Sequence, residues 1–146
     1  MKQLLFVAVL FLAYSCGGQI EVQNPVESEQ DSEKSFVTVF DFHMKHRCKT
    51  CINIEKSTKK VISEQFSKEA EQQLVFFKVV DAEDPKNEKL VEEFGAYGTT
   101  LAICKTKNGK REIEDITPWA FKRSGNDKFE PELTEKIRTA LAELEN

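Results

Sequence analysis

Residues 36–51 constrain this chain more than any other stretch. Phe36, Val37, Val39, Phe40 and Phe42 form a β-rich apolar segment that stops at a short basic loop. The loop contains His43, Lys45, His46 and Arg47 and carries a Cys-x-x-Cys pair, Cys48 and Cys51; from the second cysteine the pattern turns helical. A strand ending in a loop that delivers a thiol to a helix start places the sulfur among unpaired backbone N–H groups, at the positive end of the helix dipole. Such a thiol ionises more easily than a free one.

The run after Cys51 has Ile54, Thr58, Val61, Ile62, Phe66 and Ala70 at helical spacing. Glu55, Lys56, Lys59, Lys60, Glu64 and Lys68 fall outside that face, where solvated charge is expected. Leu74, Val75, Phe76, Phe77, Val79 and Val80 then read as a second buried strand. Because a helix separates it from the first, the pair is expected to be parallel, joined by a right-handed crossover. Asp84 and Pro85 open a turn and a short helix over 86–94, closed by Gly95.

A third strand is expected over 99–106. Asn108-Gly109 is a strong hairpin signal that returns 111–116 antiparallel to it. Thr117 reads as an N-cap ahead of Pro118, opening a short helix through Trp119 and Phe121, which are expected to cap the core. Residues 125–127 break that helix, and the last one, 131–144, presents Leu133, Ile137, Ala140, Leu141 and Leu144 on one face.

Ahead of this domain, residues 4–13 are apolar but too short for a bilayer, which needs about 20 residues. They read as a signal peptide. The small residues around Cys16 (Ala13, Ser15, Gly17 and Gly18) resemble a bacterial lipoprotein signal, which implies lipidation of Cys16. A plain secretory signal and a retained anchor are the alternatives, and all three place the domain outside the cytosol. The acidic, polar stretch 19–34 has too few large apolar groups to fold alone and is expected to be a flexible tether. About 18 extended residues at about 3.4 Å each would let the domain reach up to about 60 Å from the membrane. The expected division is therefore 1–15 signal peptide, 16–34 lipidated cysteine and tether, and 35–146 a single domain, anchored in a bacterial cell envelope on the periplasmic side or at the outer membrane.

A chain of 146 residues with 11 Phe can build one ordinary core. Its net charge of −4 comes without a basic stripe, so nucleic acid is set aside as a partner. The cysteines divide into Cys16, the Cys48/Cys51 pair and Cys104, unlike the even scatter of a disulfide-stapled small domain. Cys104, inside a strand, reads as a small buried hydrophobe.

In order of elements, residues 36–146 resemble the thioredoxin superfamily throughout: strand, Cys-x-x-Cys at a helix start, strand, helix, hairpin, terminal helix. More narrowly, Phe42, His43, His46, Arg47, Cys48, Lys49, Thr50 and Cys51, with Phe77, Lys78, Val79 and Val80, resemble small thioredoxin-like proteins of Bacteroidota labelled nitrophenyl compound nitroreductase subunit ArsF. The resemblance implies an α/β thioredoxin-like fold, a central mixed sheet flanked by helices. It also implies a thiol-disulfide oxidoreductase, a monomer that exchanges disulfides with protein thiols or disulfides and needs no organic cofactor. Cys48 would be the nucleophile and Cys51 the resolving thiol, with Arg47 and His46 favouring the Cys48 thiolate. Asp41 falls near the place of the family's buried proton-accepting carboxylate, although a solvent-facing aspartate at a strand end is the other reading. Three departures stand out: Lys49-Thr50 replaces Gly-Pro between the cysteines, His46-Arg47 replaces an aromatic residue, and Thr100 takes the place of the cis-proline.

Two other readings of the pair remain. A static disulfide is weakly motivated, since closing so short a loop stabilises little by chain entropy. His43, His46, Cys48 and Cys51 could instead hold zinc, copper(I) or trivalent arsenic, making the chain a soft-metal or arsenite-binding protein or a non-catalytic subunit of a detoxification complex.

Overall fold

The computed structural model describes residues 34–145; the expected signal peptide, Cys16 and most of the expected tether lie outside the described residues. A four-stranded mixed sheet has the order β2-β1-β3-β4, built from β1 (Phe36–His43), β2 (Val75–Asp81), β3 (Thr100–Lys107) and β4 (Lys110–Asp115). β1 pairs parallel with β2 and antiparallel with β3, and β4 returns antiparallel on β3. Central position explains the composition of β1, because a strand with neighbours on both edges and helices on both faces needs apolar side chains on each.

Those two faces carry separate cores. Val37 and Val39 point to one side and pack with Ile54, Val61, Phe66, Leu101, Ile103, Leu133 and Ile137. Phe40 and Phe42 point to the other and pack with Val80, Val91, Phe94, Ala102 and Cys104. The Phe40 and Phe94 ring centroids are 4.6 Å apart. Cys104 is 1% exposed and free, as its strand position suggests, and burial pushes its thiol up. By period-two alternation, Asp41 shares the face of Val37 and Val39.

The crossover helix α1 (Lys49–Gln65) begins earlier than its apolar pattern suggests: Cys48 is the N-cap, so both residues between the cysteines are helical. It also stops earlier. Phe66 leaves helical geometry with φ −129° and stays buried, and a separate short helix α2 (Ser67–Glu71) follows. β2 departs from the buried strand expected over 74–80. It is an edge strand with Lys78 and Val79 exposed, since the neighbouring helices cover only part of it. An apolar run reads alike whether its outer edge is paired or open.

A single 3-10 turn, Pro85–Asn87, leads into α3 (Glu88–Phe94), which Gly95 ends in the left-handed region at φ +59°. A side chain there would meet nothing within 4 Å, so the penalty for one is backbone strain alone. Gly95→Ala is expected to cost about 1 kcal/mol in urea unfolding, with the slope unchanged.

Asn108 and Gly109 both have positive φ, +53° and +73°, as the two-residue β3–β4 turn requires. Thr117 is not the N-cap of α4 (Thr117–Arg123) but its first residue. Asp115 Oδ1 accepts from the Thr117 amide at 2.8 Å, which frees the threonine hydroxyl to accept from the Leu101 amide at 2.9 Å. Trp119 stacks on Phe129 at 5.1 Å and donates to Glu132 at 2.8 Å, but Phe121 is exposed rather than capping the core. The last helix, α5 (Phe129–Glu145), starts ahead of the expected 131, with Phe129 as its first buried anchor.

Candidate redox site

The cysteine pair sits where β1 hands over to α1. Cys48 and Cys51 are joined by a disulfide with Cα atoms 5.2 Å apart. Cys48 is exposed and Cys51 is 5% exposed, so a partner meets the first sulfur and not the second. Cys48 Sγ caps the helix by accepting from the Cys51 amide at 3.1 Å. In the dithiol form the same amide and the first-turn N–H groups favour a thiolate at Cys48, and no acidic residue occupies that turn to oppose it.

The loop ahead of Cys48 is fastened at both ends. The Ala82 amide donates to His43 O at 2.9 Å, and the Lys45 amide donates to Glu83 Oε2 just beyond β2. Arg47 Nη1 donates to Glu55 Oε2, and Nη2 lies 3.6 Å from Asp41 Oδ2. With Glu55 on it, the guanidinium brings little net positive charge to the loop; the helix N-terminus is the stronger anion-favouring feature at Cys48. His46 is exposed.

Asp41 is fully buried, which removes the solvent-facing reading. Neither of its oxygens has a hydrogen bond, and the same holds for Arg47 Nε and Nη2. At 3.6 Å the two groups attract without bonding. Burial pushes the Asp41 carboxyl from 3.8 up to about 7, against the pull of Arg47 and helped by Glu55. A carboxyl held there can exchange a proton near neutral pH.

The threonine that reaches the sulfurs is not Thr100. Thr100 is the first residue of β3, pairs with Phe42 and gives its hydroxyl to Gly98 O at 3.3 Å. Thr99, one residue earlier, puts Oγ1 3.5 Å from Cys51 Sγ. Glu55, which its place outside the apolar face marks as solvated charge, lies one turn beyond Cys51 and accepts from Arg47. Thr99 has a signal in its place just before β3, but a one-residue ambiguity in where that strand begins hides it.

The soft-metal set fares differently. His43 Nδ1 lies 3.2 Å from Met44 O, and among the described residues no three His, Cys, Asp or Glu gather in a way that could hold a metal. Also among the described residues, no helix is long and apolar enough to cross a membrane.

With the sheet order β2-β1-β3-β4, a parallel β1–α1–β2 unit, the β3–β4 hairpin and a terminal helix, the chain has a thioredoxin-like fold. No protein-family model and no curated protein sequence matches it. Among solved structures, it is similar to a thioredoxin from Thermus thermophilus, at 18% identity and TM-score 0.49, over 75% of this chain and 76% of that one. It is also similar to an uncharacterized thioredoxin-like protein from Clostridium perfringens, at 13% identity and TM-score 0.45, over 76% and 75% of the two chains. A malarial protein shows 19% identity and TM-score 0.42, over 70% of this chain and 97% of its own.

Proposed function

We propose that this chain is a thiol-disulfide oxidoreductase that exchanges disulfides with protein partners through Cys48 and Cys51. The observation that carries the reading is one exposed and one buried sulfur, bonded to each other across the first turn of α1. In the reducing direction, the Cys48 thiolate attacks a partner disulfide, forms a mixed disulfide and expels the partner's other sulfur as a thiolate. Cys51 then gives its proton to Asp41 and attacks Cys48 Sγ; the bond to the partner breaks, the Cys48–Cys51 disulfide forms, and the partner leaves as a second thiolate. Two electrons pass from the pair to the partner, and no organic cofactor takes part.

Ile52, 50% exposed, and Tyr97, 74% exposed, lie in the segments that carry Cys51 and Thr99 and support an apolar protein partner. The lipid anchor on Cys16 and the acidic tether belong to the same reading. In that reading the domain is a monomer held in a bacterial cell envelope. Titrating the reduced protein by thiolate absorbance tests the chemistry. Cys48 is expected to ionise below the ordinary cysteine value of about 8.5, and a midpoint at or above it would remove the nucleophile.

A further inference from the structure

We propose that Thr99 is a catalytic hydrogen-bond donor of this site, its hydroxyl stabilising the Cys51 thiolate that clears a captured partner. The inference deepens the exchange reading above and depends on it. Thr99 Oγ1 lies 3.5 Å from Cys51 Sγ, within range for a bond to sulfur, across 48 residues of sequence. Cys51 is 5% exposed, so water has little access to its sulfur, and a buried thiolate without a donor is costly. The Cys51 amide does not serve, because it already donates to Cys48 Sγ.

The fold holds this hydroxyl ready. Thr99 directly precedes β3, whose first residue, Thr100, is locked against Phe42 by the β1–β3 pairing, so the donor arrives from the end of a fixed strand. A donor already in place where charge develops needs little reorganisation when the thiol ionises. The neighbouring hydroxyl does not compete, being committed to Gly98 O.

The donor acts on the second step alone. When a partner is bonded to Cys48, Cys51 must lose its proton before it attacks, and a hydrogen bond from Thr99 raises the fraction that is thiolate. Intrinsic nucleophilicity falls with pKa by a Brønsted coefficient of about 0.4–0.5, so about a tenfold gain in ionisation becomes about a threefold gain in rate. The charged or titratable groups nearest the pair along the chain are Asp41 and His43 on β1, Lys45, His46 and Arg47 in the loop, and Lys49 and Glu55 on α1. All remain when Thr99 is changed.

Reduced protein mixed with an aromatic disulfide such as dithiobis(nitrobenzoate) separates the steps: the first thionitrobenzoate released reports capture by Cys48 and the second reports attack by Cys51. Relative to the first release, Thr99→Val is expected to slow the second about threefold at neutral pH. The midpoint of its pH profile should rise by about one unit. Thr99→Ser should restore both, and Thr99→Ala offers a second apolar variant if valine disturbs folding. An unchanged second step in the apolar variants, or a serine variant that behaves like valine, would overturn the assignment to the hydroxyl. A wild-type protein that captures the reagent but never releases the second equivalent would overturn the exchange reading, and this inference with it.

Discussion

Cys48→Ser is expected to abolish disulfide exchange, a loss of about a thousandfold or more, whereas Cys51→Ser should capture partners and fail to release them. The asymmetry comes from burial. The exposed Cys48 sulfur is the one that a partner disulfide can approach, and the buried Cys51 sulfur can attack only what Cys48 already holds. A serine hydroxyl at position 48 stays protonated under conditions where the helix amides would hold a thiolate, so the nucleophile is lost outright. With serine at position 51 the mixed disulfide has no internal thiol to displace it. Non-reducing electrophoresis should therefore show adducts in Cys51→Ser that dithiothreitol dissolves, and none in Cys48→Ser; adducts in the latter would assign the nucleophile elsewhere. Loss of the disulfide costs about 2 kcal/mol at most for a loop this short, so both variants should fold on the two intact cores.

Stability should fall as pH rises from about 4 to about 7, and Asp41→Asn should remove that slope. In the unfolded chain Asp41 ionises near 3.8, but in the fold burial holds its carboxyl protonated up to about 7. Between those values the folded protein binds a proton that the unfolded chain has lost. The associated stabilisation is complete below the lower value and gone above the upper one. At about 1.4 kcal/mol per pH unit, the wild type should lose about 4 kcal/mol across the window. Urea unfolding of both proteins at pH 5 and pH 8 isolates the effect, because every other titrating group is shared. Equal pH dependence in the two would mean that Asp41 is ionised in the fold and drawn closer to Arg47 than 3.6 Å.

A carboxyl in this state also fits the second step of exchange. A base that takes the Cys51 proton near neutrality must itself ionise there, and an aspartate fully bonded to Arg47 would ionise at far lower pH. Glu55 keeps the guanidinium partly neutralised and beside Asp41 without a hydrogen bond between them. The loss of stability between about pH 4 and about pH 7 accompanies a carboxyl that can exchange its proton near neutrality.

Local pattern was enough to place most elements. Apolar runs located β1 and β2, helical spacing located α1 and α5, and Asn108-Gly109 and Gly95 marked the turn and the helix end, because each is decided by near neighbours along the chain. Whether an apolar run such as 74–80 lies inside a sheet or on its edge depends on strand pairings, which periodicity does not carry. The cap of α1 eluded the pattern for a similar reason: the residues between the cysteines are polar, and the N-cap role falls to a sulfur.

From the sequence alone come the Cys-x-x-Cys at a strand-to-helix junction, the α/β order and the buried place of Cys104. Only the tertiary structure decided that Asp41 is sealed from water, that Arg47 is shared with Glu55, and that Thr99 rather than Thr100 meets the second sulfur. Each of those joins residues on different elements, and the protonation or hydrogen bonding of a group depends on what surrounds it in space. A shift of a single residue in the start of β3 is enough to exchange one threonine hydroxyl for the other.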